Sequence, residues 1–160
     1  MTKISTVFLA FLLSYSAIGQ NIELGAGSNV SSIYSPTPIN NYYYPYSHYQ
    51  VIYTRAEINA KGVFNPDSLF KFGFYIENPP SYSLMNYTIG MKHTNDSVLG
   101  GTYDGGPFKQ VLAMPSYTPQ WGKFDLLTLD SAFLWNGTQN ILVDICSPPG
   151  ALNTLDHLSE

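Results

Sequence analysis

The sequence has little charge, a single cysteine and no long apolar stretch beyond its first residues. Charged side chains make up 11% of the 160 residues, and seven Lys and Arg stand against eleven Asp and Glu. This shortage of basic residues excludes a basic patch, so we expect no binding to nucleic acid or to an anionic membrane surface. Cys146 stands alone, which excludes an internal disulfide and leaves the core to hold the fold.

Helical periodicity is also nearly absent, whereas two-residue alternation of apolar and polar side chains recurs along the chain. Aromatic residues reach 15%, with 13 Tyr and 9 Phe, and such residues suit strands. Turn signals such as Asn136-Gly137 separate six or seven short strands. The sequence therefore predicts an all-β fold, an antiparallel β-sandwich of the jelly-roll type, with Arg55–Ala60 as a turn or a single helical turn.

The strands are expected where the alternation is clearest. In the second of them, Phe70, Phe72, Phe74 and Ile76 are predicted to share one face. Later strands are expected near residues 86–92, 108–114, 124–128 and 140–146.

The first 19 residues have the three parts of a secretory signal peptide. Lys3 supplies the positive charge, an apolar run follows over residues 4–13, and Ala17 and Gly19 are the small residues before a cut at Gln20. The run is about half of the roughly 20 residues that span a bilayer. We expect a cleaved, secreted or outer-surface protein without a transmembrane segment.

The mature chain divides into three parts. A Gly/Ser/Pro-rich lead-in over residues 20–41 precedes a sandwich domain over residues 42–146, and an irregular or short helical tail follows over residues 147–160. The tail opens on Pro-Pro-Gly and then has three leucines at helical spacing. Two interpretations stay open: a helical cap, or a sandwich that is missing its last strands. An exported domain without disulfides favours a bacterial source.

The order of five segments resembles a known module. These segments are YYYPYSHYQVIYTRAEI at 42–58, LFKFGFYI at 69–76, YTIGMKHT at 87–94, WGKFDL at 121–126 and FLWNGTQNILVDI at 133–145. Together they look like a β-sandwich module of Bacteroidetes secreted proteins, which sits in multidomain adhesins and peptidases exported by the type IX secretion system. The resemblance implies an accessory, linking or adhesive role, and it carries over no catalytic residues.

A run of aromatic side chains is the main candidate ligand site. Aromatic faces beside polar groups stack on sugar rings and extended peptides. The alternative is that alternate tyrosines pack beneath an edge strand. The residues of this candidate site are Tyr42, Tyr43, Tyr44, Tyr46 and His48.

Metal and catalytic sites have weaker support. His48, His93 and His157 lie on separate segments without zinc-ligand spacing, and a hydrogen-bonded structural role is expected for His93. Asp96 and Asp104 are the candidates for a calcium site in loops, and no other cofactor is expected. Cys146 ends an apolar strand, so we interpret it as a small buried side chain rather than a nucleophile, and the protein is not expected to be an enzyme.

Two further expectations concern single residues. Trp121 and Trp135 are predicted to fill the core and its end. Three Asp-Ser-aliphatic triplets resemble the sites at which Bacteroidetes attach O-glycans, although Asp-Ser also opens turns. The serines of these triplets are Ser68, Ser97 and Ser131.

These observations favour a secreted or cell-surface accessory module that binds a glycan or an extracellular protein through an aromatic-rich strand edge. The alternative is a purely structural spacer, a fragment of a larger secreted protease or adhesin. The oligomeric state stays open. An incomplete sandwich would expose a strand edge that could pair with another chain.

Overall fold

The computed structural model describes residues 19–25, 38–39, 47–77 and 83–148, and in these ranges it contains six strands and one short helix. The predicted leader, almost all of the tail and most of the lead-in lie outside the described residues. Within the described part, no helix is long and apolar enough to cross a membrane. The elements are β1 (Ser47–Tyr53), α1 (Arg55–Ala60), β2 (Asp67–Ile76), β3 (Leu84–Thr94), β4 (Lys109–Tyr117), β5 (Lys123–Trp135) and β6 (Asn140–Ser147).

The strands form two antiparallel sheets, which confirms the predicted all-β, sandwich-like fold. The larger sheet has the order β1-β6-β3-β4, and the smaller one pairs β2 with β5. Strand β6 lies between β1 and β3. The first and last of the six strands along the chain, β1 and β6, are therefore neighbours in the larger sheet. Strand β4 also contacts β5, which brings the two sheets together along that side.

The core lies between the sheets and takes alternate residues from each strand. In the larger sheet, Ile89, Met91, Val143 and Ile145 are almost completely buried. They belong to neighbouring strands and point to the same side, because side chains alternate across a sheet with a period of two. Burial of each such side chain stabilises the fold by about 1.5–3 kcal/mol, so these four positions specify the register strongly.

The helix α1 is short, as expected, and its start is well capped. The Thr54 hydroxyl accepts a hydrogen bond from the Glu57 backbone N–H, and the Glu57 carboxylate accepts one from the Thr54 N–H. These bonds form a capping box. The Glu57 carboxylate also accepts a hydrogen bond from the Thr54 hydroxyl, and this bond, with the one from the Thr54 N–H, lowers the pKa of Glu57. The single buried residue of α1, Ile58, packs against the core and anchors the turn between β1 and β2.

Phe70 departs from the predicted pattern of β2. Phe72, Phe74 and Ile76 point inward as expected, but Phe70 is 64% exposed. The register of β2 against β5 shifts between Leu69, which lies opposite Phe133, and Lys71, which lies opposite Thr128. The extra residues of this irregularity are on β5, and Phe70 lies at it without a direct partner. The prediction that all four residues share a face is therefore wrong at Phe70.

The two tryptophans also differ from each other, and only one of them fills the core. Trp135 is 1% exposed, and its indole N–H donates a hydrogen bond to the Gln139 carbonyl at 2.7 Å. Trp121 is 70% exposed, so its predicted core role is wrong. It lies in the connection before β5, where the following Gly122 donates its N–H to the Ile76 carbonyl.

This difference gives a direct test of the core. We expect Trp135→Ala to lower the free energy of unfolding by about 3–5 kcal/mol, because it removes a large buried side chain and leaves a cavity. Trp121→Ala is the matched control and should change it by less than about 0.5 kcal/mol. Urea denaturation followed by circular dichroism measures both. Equal losses in the two variants would contradict the assignment of Trp135 to the core.

Candidate functional site

Four polar or ionisable side chains meet on the outer face of the larger sheet. In the pairing of β1 with β6, His48 lies opposite Cys146 and Gln50 lies opposite Asp144. The intervening residues, such as Tyr49, point toward the core, so these four share the other face. We call His48, Gln50, Asp144 and Cys146 the outer-face cluster.

The Asp144 carboxylate is the centre of this cluster. Its Oδ1 accepts hydrogen bonds from His48 Nε2 at 2.6 Å and from Gln50 Nε2 at 2.7 Å. Its Oδ2 lies 3.5 Å from the Cys146 Sγ, which donates the thiol hydrogen. Because a carboxylate only accepts, Nε2 of His48 carries the proton in this contact. Asp144 therefore ties three neighbouring side chains together.

The connection between β3 and β4, residues 95–108, covers part of the cluster. Gln50 donates its amide Nε2 to the Asp104 carbonyl, and the Asp104 N–H donates to Gln50 Oε1, both at 2.9 Å. Lys92 Nζ reaches Asp104 Oδ2 at 2.6 Å. Hydrogen bonds from Lys92 and from the Gly106 N–H hold the pKa of Asp104 below its usual range. The two hydrogen bonds between the Gln50 amide and the Asp104 backbone fix Gln50, and Gln50 in turn orients Asp144.

Tyr103 and a glycine complete the cover. The Tyr103 ring stacks on the His48 imidazole with centroids 4.0 Å apart and planes 16° from parallel, and its hydroxyl donates to the His48 carbonyl at 2.7 Å. A Cβ at Gly90 would come within 2.9 Å of the Phe108 Cβ, so glycine allows the loop to lie close to the sheet. A shallow pocket of about 250 Å³ opens between Gln50 and residues 99–103.

Cys146 has the surroundings of a protonated thiol. Burial, the nearby Asp144 charge and the hydrogen bond to Asp144 together raise its pKa to about 11. A cysteine nucleophile needs the opposite environment, with a cationic or imidazole partner that favours the thiolate. His48 is close, but its Nε2 bonds to Asp144 rather than to the sulfur. The Cys146 thiol is therefore a poor nucleophile. Imidazole nitrogen, carboxylate oxygen and cysteine sulfur are, however, atom types that bind metal ions, and here they lie close together.

Of the predicted ligand-site residues, the structure describes His48. Tyr42, Tyr43, Tyr44 and Tyr46 lie outside the described residues, while His48 lies in β1 and belongs to the outer-face cluster.

Both candidate calcium ligands have hydrogen-bond partners within the chain. The Asp104 carboxylate is occupied by the Lys92 ammonium group, whereas Asp96 accepts a hydrogen bond from the Thr94 hydroxyl. Among the described residues, the convergent group of possible metal ligands is His48, Asp144 and Cys146, and neither Asp96 nor Asp104 belongs to it. A calcium site at these two aspartates stays a prediction.

The remaining candidate residues have simpler surroundings. His93 Nε2 accepts a hydrogen bond from the Asn136 N–H at 3.1 Å, which confirms the expected hydrogen-bonded role, and burial lowers its pKa. Ser97 is exposed in the loop after β3, where a turn was expected. Ser68 and Ser131 instead lie within strands β2 and β5.

A second surface lies on the smaller sheet and is rich in exposed rings. Tyr75 and Phe124 are cross-strand partners on its outer face, 54% and 43% exposed, and their rings meet edge to face at 5.4 Å. Trp121 stands exposed at the same end of this sheet. We call Tyr75, Phe124 and Trp121 the aromatic surface. Leu126 and Leu134 are also exposed on the outer side of β5.

Sequence reasoning missed both groups. The outer-face cluster joins residues 96 positions apart, so no local motif contains it. One partial signal was available: Asp144 and Cys146 are two apart in a strand and must share a face. Phe124, Leu126 and Thr128 were expected to share a face and do so, but that face is the exposed one.

The chemistry of Cys146 can be measured directly. We expect alkylation by iodoacetamide to be slow at pH 8, where a thiol of pKa about 11 is only about 0.1% thiolate, and the rate to rise about tenfold per pH unit up to pH 10. Asp144→Asn removes the neighbouring charge and should speed alkylation at least about threefold, whereas Asp96→Asn should leave the rate unchanged. A rate that levels off near pH 8.5, as for an unperturbed thiol, would contradict this environment.

Comparisons with known proteins add no relative to this picture. No protein-family model matches the chain, and no curated protein and no solved structure is similar to it. The resemblance to a Bacteroidetes module stays a prediction carried by its five segments. The surfaces of the chain itself are therefore the basis for its proposed function.

Proposed function

We propose that the chain is a secreted, non-catalytic accessory module that binds polysaccharide through exposed aromatic rings. The observation that carries the proposal is the aromatic surface, where Trp121, Tyr75 and Phe124 stand exposed at one end of the smaller sheet. Exposure of a large apolar ring to water is unfavourable compared with its burial. Several of them together on one surface are typical of a binding site.

The neighbourhood of the rings suits a sugar chain. Next to Tyr75 on the same face of β2, a Cβ at Gly73 would collide with the Asp125 carbonyl, so glycine lets β2 lie close to β5 beside the rings. Lys71 and Thr128 follow as an exposed cross-strand pair beyond Gly73. Aromatic rings beside hydrogen-bonding side chains are what a pyranose ring and its hydroxyls require.

The contacts of the aspartates support a role without catalysis. Glycoside hydrolysis needs two carboxyl groups that face one substrate bond. Asp125 accepts hydrogen bonds from the Tyr117 hydroxyl and the Gln120 N–H, and Asp130 accepts one from the Ala113 N–H. Asp144 is likewise occupied within the outer-face cluster. In the described part of the chain, these carboxylates serve structural contacts.

Export is tested separately from binding. We expect the native protein to accumulate outside the cytoplasm with Gln20 as its first residue, because the leader ends on small residues that signal peptidase accepts. N-terminal sequencing of the native protein measures this. A cytoplasmic product that retains residues 1–19 would contradict it.

The binding test uses the mature chain on a glycan array and on insoluble polysaccharides. We expect Trp121→Ala and Tyr75→Ala each to weaken binding at least about tenfold, since a lost stacking ring is worth about 1.4 kcal/mol or more. Phe64→Ala is the matched control, because Phe64 is similarly exposed but lies in the turn before β2. These exposed positions leave the fold intact, so circular dichroism should be unchanged.

A second candidate function, a structural spacer of a larger surface protein, is favoured by a different observation. Leu126 and Leu134 are exposed on the same side of β5 as Phe124. Aliphatic side chains pack against protein surfaces rather than stack on sugars. Absence of binding to every glycan tested would remove the polysaccharide proposal and favour the spacer.

A further inference from the structure

We propose that His48, Asp144 and Cys146 form a binding site for one Zn²⁺ ion on the outer face of the larger sheet. The site goes beyond the proposed polysaccharide binding and lies on the other sheet. One ligand comes from the edge strand β1 and two come from its neighbour β6. The pairing of His48 with Cys146 and the two-residue spacing to Asp144 bring the three side chains to one point.

The distances suit a small tetrahedral ion. A ligand atom from each of the three residues lies within 4.8 Å of the other two. Around zinc, with ligand bonds of about 2.0–2.3 Å, neighbouring ligand atoms stand about 3.3–3.7 Å apart. The separation of Cys146 Sγ from Asp144 Oδ2 is already 3.5 Å. His48 Nε2 lies 2.6 Å from the other carboxylate oxygen, Oδ1, and its side chain is partly exposed, so rotation of the imidazole and the carboxylate can bring the nitrogen, one oxygen and the sulfur to this spacing.

The ligand types select zinc among common ions. Calcium and magnesium take oxygen ligands almost entirely, so a thiolate and an imidazole disfavour them. A set of one sulfur, one nitrogen and one oxygen ligand suits Zn²⁺, which is borderline-soft and binds all three atom types. Three protein ligands leave the fourth tetrahedral position for water or for an exogenous donor.

Neighbouring side chains hold the three ligands in position for zinc binding. Gln50 donates to Asp144 and is itself fixed by two hydrogen bonds to the Asp104 backbone, so it orients the carboxylate from the side. The Tyr103 ring stacks on His48 and limits its rotation. Such outer contacts orient ligands in zinc proteins and raise metal affinity.

The proton balance of binding is simple. The Cys146 S–H bond breaks, the sulfur keeps the electron pair and donates it to Zn²⁺, and one proton passes to solvent. His48 changes tautomer: the proton on Nε2 leaves to solvent while Nδ1 takes one proton up from water, so that the neutral imidazole binds through Nε2, and Asp144 binds as the carboxylate. The net release is therefore the one proton from Cys146. No oxidant or reductant is involved.

The test uses the mature chain, treated with a chelator and dialysed. We expect isothermal titration with ZnCl₂ to show one ion per chain, and CoCl₂ to give the visible bands of tetrahedral cobalt together with a thiolate charge-transfer band. Cys146→Ser keeps the size of the side chain, and it should remove the charge-transfer band and weaken zinc binding at least about tenfold. His48→Gln should weaken binding to a similar extent.

The controls make each outcome decisive. Asp96→Asn changes an aspartate outside the three-residue group and should leave both the stoichiometry and the affinity unchanged. Absence of a one-to-one zinc complex overturns the proposal, and so does binding that persists undiminished in Cys146→Ser. Because Cys146→Ser is nearly isosteric, circular dichroism should show that it folds. Polysaccharide binding by the same variant should be unaffected, so the two proposals fail independently.

Discussion

The pairing of β1 with β6 sets both faces of the larger sheet at once. It places Val51 opposite Val143 on the inner side and His48 opposite Cys146 on the outer side. Because side chains alternate with a period of two, a shift of one residue would put Asp144 into the core and Val143 into water. The apolar core of β6 therefore fixes the position of the polar cluster on its other face.

The outer face and the loop that covers it depend on the same register. Gln50 lies opposite Asp144, and only there can its amide bond to Asp144 and to the Asp104 backbone together. Gln50 is buried as a result, and Asp144 of the sheet and Asp104 of the loop supply its hydrogen-bond partners. The smaller sheet shows the opposite arrangement, since rings of β2 and β5 face water without a cover from the described residues. Polar groups are covered on one sheet, and apolar groups are exposed on the other.

Much of the fold was predictable, because it depends on local alternation. The inward set of β6, Ile141, Val143 and Ile145, follows from a period of two, and α1 follows from Thr54 and the capping Glu57. Phe70 could not be placed, since the irregularity beside it comes from extra residues of β5 and depends on how the two strands pair. Trp121 was assigned to the core because large rings favour burial, but the turn at Gly122 leaves it in a connection.

The candidate site was predictable only in part. His48 was named for its place in an aromatic run, whereas its partners Asp144 and Cys146 lie in β6, and four other strands separate β1 from β6 along the chain. No local pattern shows that the first and last strands pair. Backbone nuclear Overhauser effects in the mature chain test that pairing most directly. The structure predicts cross-strand contacts of His48 with Cys146 and of Gln50 with Asp144. Contacts of His48 with Ile145 or Ser147 as the directly opposed residue would contradict it.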